Sequence, residues 1–280
     1  MLSRFFRDLV YTRLASTVRG RRWLALQVLH IQQHLGIGPR NASVEESGER
    51  IVVDLLRQHA VPGSELCVFD VGANRGQFLR LLLDGLSGQA CRLHCFEPSP
   101  AAFAALRAGA GALPNVALND FGLGKAAGEF DLYSDAPGSG LASLSKRRLD
   151  HYGIRFEHRE RVRLETLDAY CERQAIGRID LLKLDVEGHE LDVLAGGERM
   201  FTERRVRMVT FEFGGGNIDS RTFMQDFFYF FAARGMRALY RILPGSGLDP
   251  VPGYSEALEQ FRTTNFLVLL GNDAGLAPTP

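Results

Sequence analysis

The sequence lacks an excess of charge of either sign, because 33 basic side chains face 33 acidic ones and the formal net charge is +0. Proteins that wrap nucleic acid generally carry a basic excess, so we expect no nucleic acid among the partners. Long apolar runs are also missing. The stretch from Trp23 to Ile31 is interrupted by Gln27 and His30 and is shorter than the ~20 residues that cross a bilayer. No small-residue cleavage site follows it, so it does not resemble a signal peptide.

Cysteine is scarce, and none of the four cysteines forms a C-x-x-C pair. No cluster of histidines completes a zinc site either. Cys67, Cys91 and Cys95 lie in apolar runs, where free cysteine acts as a small apolar side chain. We expect these and Cys171 to be structural, and we expect a reducing compartment, the cytoplasm.

Helical spacing without strand patterning characterises the start of the chain. It predicts a helical extension and linker over residues 1–48, followed by one α/β domain over residues 49–275. The extension is locally basic, since six arginines precede Trp23 and only Asp8 opposes them. Two interpretations stay open: it packs as a cap on the domain or on a second copy, or it lies as an amphipathic helix on an anionic membrane surface.

From Leu66 onward, short apolar runs alternate with helical stretches. The pattern predicts strands over residues 66–71, 92–96, 116–118, 179–186, 206–213, 237–243 and 266–270. The first run is continuously apolar apart from one acid, as expected of a strand covered on both faces. This order predicts an α/β fold with a mostly parallel, doubly wound sheet and helices on both faces. The region 121–168 departs from it, with two short strands around a polar loop, and such insertions are often functional.

A glycine turn follows the first predicted strand, in the sequence VFDVGANRGQ at residues 68–77. Glycine lets the backbone turn sharply and approach a ligand, and the helix that begins near Gln77 offers free N–H groups. A dinucleotide site uses G-x-G-x-x-G, but Asn74 stands between Gly72 and Gly76 where the middle glycine would be. Asp70 would repel a pyrophosphate, whereas it can attract the cationic groups of S-adenosylmethionine. The motif favours the methyl donor over a nicotinamide dinucleotide.

Acidic and amide side chains end the next two predicted strands. Glu97, followed by Pro98, lies about 20 residues after the turn, where a carboxylate can accept hydrogen bonds from both ribose hydroxyls. An exposed loop carboxylate is the alternative. Asn119 is a weaker candidate, for contact with the adenine ring, and a simple turn is nearly as good an explanation of it.

A charged segment ends the central predicted strand, in the sequence IDLLKLDVEGHE at residues 179–190. Strand alternation would put Lys183, Asp185 and Glu187 on one face. Such charges are costly to desolvate unless paired, so they form either a structural ion-pair cluster or the mouth of an active site. A hydroxyl acceptor loses its proton as it attacks a methyl carbon, and Asp185 or His189 can take that proton.

Together, the segments FDVGANRGQF, CFEPSP, TLD, LLKLDVEGHELDVLAGG and FEF resemble the FkbM family of methyltransferases over residues 50–270. The resemblance implies the class I Rossmann-like fold with seven strands, one of them a late antiparallel strand. It implies transfer of methyl from S-adenosylmethionine to oxygen, often of a sugar or polyketide. It assigns the cofactor to Asp70, Gly72, Asn74, Gly76 and Glu97, and the reaction centre to Lys183, Asp185, Glu187 and Glu212.

The leading hypothesis is therefore an O-methyltransferase that acts on a hydroxyl-bearing small molecule or a glycan. A nicotinamide oxidoreductase would need the missing glycine of the turn. A non-catalytic S-adenosylmethionine-binding subunit should have lost charges at the reaction centre, yet Lys183 and the carboxylates are present. Asp185, Glu187 and Glu212 can bind a divalent ion through oxygen, but no ligand spacing demands one.

Overall fold

The computed structural model describes residues 4–38, 47–61, 63–245 and 247–271. Residues 39–46 of the predicted linker lie outside this description. The helices are α1 (Arg4–Ala15), α2 (Val18–His34), α3 (Arg50–Gln58), α4 (Gln77–Gly85), α5 (Pro100–Ala110), α6 (Leu167–Arg173), α7 (Glu190–Ala195), α8 (Glu198–Thr202), α9 (Gly216–Ser220) and α10 (Met224–Ala233). The strands are β1 (Leu66–Val71), β2 (Cys91–Phe96), β3 (Val116–Asn119), β4 (Gly122–Leu123), β5 (Gly128–Ser134), β6 (His158–Glu165), β7 (Ile179–Leu184), β8 (Val206–Phe213), β9 (Ala238–Leu243), β10 (Gly247–Pro250) and β11 (Thr264–Leu269). Two 3-10 turns complete them, at Asp150–Tyr152 and Glu256–Leu258.

The main sheet has the strand order β10-β9-β11-β8-β7-β1-β2-β3. Strands β3, β2, β1, β7 and β8 pair in parallel. Strand β11 runs antiparallel between β8 and β9, and β10 runs antiparallel to β9. The chain order reverses between β1 and β7, and ligands of such sheets bind in the crevice at the carboxyl ends of the strands beside this reversal.

The predicted mostly parallel, doubly wound α/β sheet is confirmed, including the late antiparallel strand. The expected number of seven strands is wrong, because β10 adds an eighth at the edge of the sheet. Its four residues, GLDP, have no apolar alternation, and proline cannot donate to a strand ladder. An edge position tolerates both properties, so the sequence pattern gave no sign of this strand. Within the insertion, β4, β6 and β5 form a separate three-stranded sheet.

Side chains of the central strands alternate between two hydrophobic clusters. Leu66 and Val68 pack in the cluster that contains residues of α3, α4 and α5. Phe69 and Val71 pack in the cluster that contains residues of α6, α7, α8 and α10. Helices therefore cover both faces, as predicted, and leave the carboxyl ends of the parallel strands to be covered by loops.

The N-terminal extension is helical, as predicted, and its end is joined to the sheet. Gln32 Nε2 donates to Gln260 Oε1 over 2.7 Å, and Arg262 donates to the side-chain oxygen of Gln32. The backbone N–H of Gly38 donates to Thr263 O over 2.8 Å. These bonds hold the segment after α2 beside the start of β11. No helix in the described part of the chain is both long and apolar enough to span a membrane.

Candidate active site

A cavity of about 250 Å³, here called the first cavity, lies at the carboxyl ends of β1, β2 and β7. Most of the predicted site residues line it: Gly72, Asn74, Gln77, Glu97, Pro98, Lys183, Asp185, Glu187 and His189. Further wall comes from Phe78, from Gly122 and Leu123, and from the polar loop of the insertion. The structure thus brings together two motifs that are far apart in the sequence.

The glycine turn after β1 passes directly beside the end of β7. A Cβ atom on Gly72 would lie 1.9 Å from Asp185 O, and Gly72 has a φ of 84°. Only glycine fits this approach without moving the backbone. The turn is held by hydrogen bonds from the N–H groups of Gly72 and Ala73 to Phe96 O, each 3.0 Å long. The turn therefore offers bare backbone to the cavity.

Glu97 fixes the same turn from the end of β2. Its Oε2 accepts a hydrogen bond from Asn74 N over 2.9 Å, and its Oε1 accepts one from Ser99 N over 2.8 Å. Burial raises the pKa of Glu97 to about 7, although these two N–H donors oppose the shift. Each carboxylate oxygen has two lone pairs, so both can accept a further hydrogen bond from a ligand hydroxyl.

Lys183 is the buried cation of the site. Its Nζ lies 3.1 Å from Asp185 Oδ2 and 3.4 Å from Asp70 Oδ1. Burial by itself lowers the pKa of Lys183, but Asp185 and Asp70 outweigh burial, so the pKa is raised. Lys183 therefore stays an ammonium group and holds Asp185, whose side chain is 43% exposed, at the cavity.

The charged segment after β7 is a turn and does not continue the strand. Strand β7 ends at Leu184, and Glu187 has a φ of 51°. Glu190 closes the turn, since its Oε1 accepts from Val186 N over 3.0 Å and from Gly188 N over 3.2 Å. Lys183 and Asp185 meet, as the alternation predicts, but the prediction that the strand continues toward Glu187 is wrong. The turn brings Glu187 to the cavity by another route, although burial raises its pKa.

The polar loop of the insertion is fastened to this turn by its side chains. Ser143 Oγ donates to Glu187 O over 2.8 Å, and Arg147 donates to the Glu187 carboxylate. Ser145 Oγ lies 3.0 Å from His189 Nε2. Because the loop supplies Ser143 and its neighbours to the cavity wall, the expected functional role of the insertion is consistent with its position.

His189 is held on both sides of its ring. Its Nδ1 lies 2.9 Å from Asp192 Oδ2, while Nε2 faces Ser145. The imidazole is thus oriented along the cavity wall, and its side chain is 15% exposed. A histidine whose Nδ1 faces a carboxylate has the orientation of a general base.

Three predicted cofactor residues do not line the cavity. Asp70 projects onto the sheet face that Leu66 and Val68 share and is 1% exposed, so it meets Lys183 instead. Gly76 caps α4, where a Cβ would lie 2.9 Å from Leu106 Cδ1. Asn119 Nδ2 donates to Cys95 O over 3.0 Å within the sheet. These positions give the three residues supporting roles behind the cavity wall.

A second cavity of about 200 Å³ adjoins the first and holds the remaining predicted residue, Glu212. Glu49, Lys183 and Asp185 line both cavities. Burial, reinforced by the charge of Asp185, raises the pKa of Glu212 well above its ordinary value. Sequence reasoning missed Glu49, because a single carboxylate after a linker has no motif that reveals where the chain returns to the sheet.

Metal ligation finds no support in the geometry of the site. Within the described ranges, no group of three or more His, Cys, Asp or Glu side chains is arranged to hold a metal ion. Two of the three carboxylates that the sequence offered as oxygen ligands instead face cations of the chain. Asp185 faces Lys183, and Glu187 faces Arg147.

Comparison with known sequences identifies the protein family to which the chain is similar. A profile described as "Methyltransferase FkbM domain" matches residues 70–238. The 2-O-methyltransferase NoeI of Sinorhizobium fredii (strain NBRC 101917 / NGR234) is 33% identical over 190 residues, which cover 64% of this chain and 75% of that protein. The matched region contains both motifs of the first cavity.

Comparison with solved structures finds other methyltransferases. Methyltransferase FkbM from Methylobacillus flagellatus KT superposes with a TM-score of 0.45 and 15% identity, over 73% of this chain and 43% of that chain. The match thus spans less than half of the Methylobacillus protein. Precorrin-6y C5,15-methyltransferase from Geobacter metallireducens GS-15 superposes with a TM-score of 0.40 and 9% identity, over 85% of this chain and 95% of that chain.

Proposed function

The chain belongs to the FkbM methyltransferase family and has its α/β methyltransferase fold, and from this premise we propose that it transfers a methyl group from S-adenosylmethionine to a sugar hydroxyl. The name of the relative, a 2-O-methyltransferase, supports transfer to oxygen. One observation carries the proposal: the first cavity has Glu97 in one wall and the charged turn after β7 in another.

The residues of the first cavity fit the proposed cofactor. Glu97 has free lone pairs for two ribose hydroxyls, and the bare backbone of Gly72 lets a ligand approach closely. Asp185 supplies negative charge near a ligand that carries an ammonium and a sulfonium, and Glu187 lies in the same cavity wall. When bound, S-adenosylmethionine supplies an activated methyl group.

Asp185 is the proposed acceptor of the hydroxyl proton. Its Oδ2 is held 3.1 Å from Lys183 Nζ, and Lys183 is in turn held by Asp70. This chain of charges orients the carboxylate without burying it, so it stays accessible to an acceptor in either cavity. The acceptor oxygen loses its proton to Asp185 as it takes the methyl group, and the proton can leave from the exposed side of the carboxylate.

For the N-terminal helices, the proposed partner is an anionic membrane surface. Exposed apolar side chains concentrate there: Val10, Tyr11, Val18, Trp23, Leu26, Val28, Leu29, Ile31 and Leu35. Arg13, Arg19, Arg21 and Arg22 accompany them, without an acidic residue between positions 10 and 35. Apolar surface combined with arginines matches a layer of acidic lipids, whereas a second copy would bring the same positive charge. The protein would then act at the cytoplasmic side of a membrane.

The proposed reaction can be tested with methyl-labelled S-adenosylmethionine and a panel of methyl glycosides. We expect label in a product that resists mild base, because a methyl ether is stable where a methyl ester is hydrolysed. Asp185→Asn serves as the control for enzyme-dependent transfer. Label found only in base-labile products, or only on amine acceptors, would contradict transfer to a hydroxyl.

A further inference from the structure

The second cavity is placed where a methyl acceptor would have to be. It lies at the ends of β7 and β8 and the start of β11, and it meets the first cavity at Glu49, Lys183 and Asp185. A molecule in the second cavity therefore approaches a ligand of the first beside these three residues. We propose that the second cavity binds the acceptor as an uncharged, polyhydroxylated ring, and that Glu49 helps to select it. This assignment rests on the proposed methyltransferase function.

The lining of the second cavity has the chemistry of a polyol site. Its polar groups are hydroxyls, an amide and carboxylates, contributed by Ser47, Glu49, Thr210, Glu212, Thr263 and Asn265. A sugar hydroxyl both donates and accepts, so it pairs with carboxylates as a donor and with hydroxyls or an amide in either sense. Ile242 adds apolar surface for the C–H groups of a ring.

The charges around the second cavity disfavour an anionic acceptor. Three carboxylates line it, those of Glu49, Asp185 and Glu212. The one lysine in its wall, Lys183, is already paired with Asp185 and Asp70. A phosphate or carboxylate on the acceptor would thus lie beside carboxyl groups without an unpaired cation in the cavity lining to balance its charge, and this costs affinity. The reacting ring should therefore be neutral.

Glu49 connects the N-terminal region to acceptor binding. It is 8% exposed, and its Oε2 accepts a hydrogen bond from Ser47 Oγ over 2.7 Å. Burial raises its pKa, so a ligand hydroxyl in the cavity would replace lost hydration. Gly36 and Gly38 line the cavity beside it, and Gly38 N is bonded to Thr263 O. One wall of the acceptor site is thus built by residues outside the span 70–238 that matches the family profile.

The test uses residues 1–280, saturated with S-adenosylhomocysteine. A panel of methyl glycosides is titrated into this complex, and saturation-transfer NMR measures their binding. The variants are Asn265→Leu, which changes only the second cavity, and Glu49→Gln. Glu65→Gln is the matched control, because Glu65 is an exposed carboxylate at the opposite end of β1. Affinity for S-adenosylhomocysteine is measured in parallel by calorimetry. A sugar phosphate is titrated beside its parent sugar.

For the glycoside that binds to the wild type, we expect the affinity to be about tenfold lower in Asn265→Leu and Glu49→Gln. Its affinity for Glu65→Gln should be unchanged. Asn265→Leu should keep the wild-type affinity for S-adenosylhomocysteine, and the neutral sugar should bind better than its phosphate. Equal glycoside affinity in all variants, a preference for the phosphate, or no glycoside binding to the loaded wild type would overturn the assignment. Absence of S-adenosylhomocysteine binding in the wild type would instead refute the proposed function itself, and the acceptor site with it.

Discussion

Asp185 is the residue at which the two cavities and the buried charges meet. It lines both cavities, and Lys183 holds its carboxylate while leaving its side chain 43% exposed. His189 is well oriented by Asp192, but it lines only the first cavity. If the acceptor occupies the second cavity, its hydroxyl proton is within reach of Asp185 and not of His189.

Replacing Asp185 should therefore affect turnover and little else. We expect Asp185→Asn, which has nearly the same shape, to lower single-turnover methyl transfer by about 100-fold or more, since general-base catalysis contributes about 10²–10⁴-fold. Calorimetry should show that S-adenosylhomocysteine still binds. His189→Ala is the comparison and should cost less. If Asp185→Asn has a normal rate and His189→Ala is inactive, His189 and not Asp185 is the general base.

Glu97 should make cofactor binding depend on pH. Burial raises its pKa to about 7, and ribose hydroxyls donate more strongly to the ionised carboxylate than to the neutral acid. Below that pH Glu97 of the free protein is protonated and must release its proton on binding, so affinity falls as pH falls, by up to about tenfold per unit. At higher pH the Glu97 carboxylate is already ionised and contributes no further dependence.

Calorimetry with S-adenosylhomocysteine between about pH 5.5 and 8.5 measures this dependence. In Glu97→Gln the affinity should be lower and the slope should be shallower than in the wild type. Burial also raises the pKa of Glu187, in the cavity lining, to about 8 and that of Glu190 to about 7, and both groups stay intact in this variant. A slope as steep in Glu97→Gln as in the wild type would therefore assign the titration to another group.

Among the elements, the mainly apolar strands were predictable, whereas the edge strand β10 and the turns were not. The predicted bounds of β1 and β8 agree with the structure, because these buried strands are mainly apolar. The charged turn after β7 was misassigned as strand, because alternation of charged and apolar residues also fits the sequence from Lys183 to Glu187. What ends the strand is Glu190, which bonds two backbone N–H groups, and such a contact has no periodic signature.

Contacts between distant parts of the chain explain why the predicted site residues and the residues that line the cavities are not the same. Asp70, Gly76 and Asn119 lie in or beside the motifs, yet each is directed away from the cavity by a partner elsewhere in the fold. Glu49 shows the opposite case, since it enters both cavities from a segment with no motif. Motif spacing identified the cavity but not every side chain that faces it.

The N-terminal helices should bind vesicles that contain phosphatidylserine. We expect Leu26→Gln with Leu29→Gln to abolish this binding, because it removes apolar surface from α2 without touching the Gln32 contacts. Arg21→Glu with Arg22→Glu should weaken it by tenfold or more, at about 1 kcal/mol for each arginine near the surface. Co-sedimentation with vesicles measures both effects, and phosphatidylcholine vesicles should bind little protein.

Val61→Ser is the control for these variants, since Val61 is exposed and apolar but lies outside the helices. Analytical ultracentrifugation distinguishes the alternative partner, a second copy of the chain. A dimer that the α2 variants dissociate, without vesicle binding by the wild type, would assign the helices to self-association and reject the membrane.

At the scale of the whole molecule, three regions of the chain converge on one crevice. The switch between β1 and β7 opens it, the insertion closes one side through Ser143 and Arg147, and the N-terminal segment closes another through Gly38 and Glu49. The N-terminal extension therefore forms part of the wall of the second cavity. Deletion of residues 1–40 would remove part of a cavity wall together with the surface helices, so point substitutions separate these roles better than truncation.

The central claim is that the first cavity holds S-adenosylmethionine with Glu97 on its ribose. Calorimetry of the wild type and of Glu97→Ala with S-adenosylhomocysteine at about pH 8, where the Glu97 carboxylate is ionised, tests it most directly. We expect binding to the wild type, affinity at least tenfold lower in Glu97→Ala because hydrogen bonds to a carboxylate contribute about 1.5–3 kcal/mol each, and no heat with NAD. Glu65→Ala should bind like the wild type. Tight binding of NAD with none of S-adenosylhomocysteine, or equal affinity in a folded Glu97→Ala, would contradict the account.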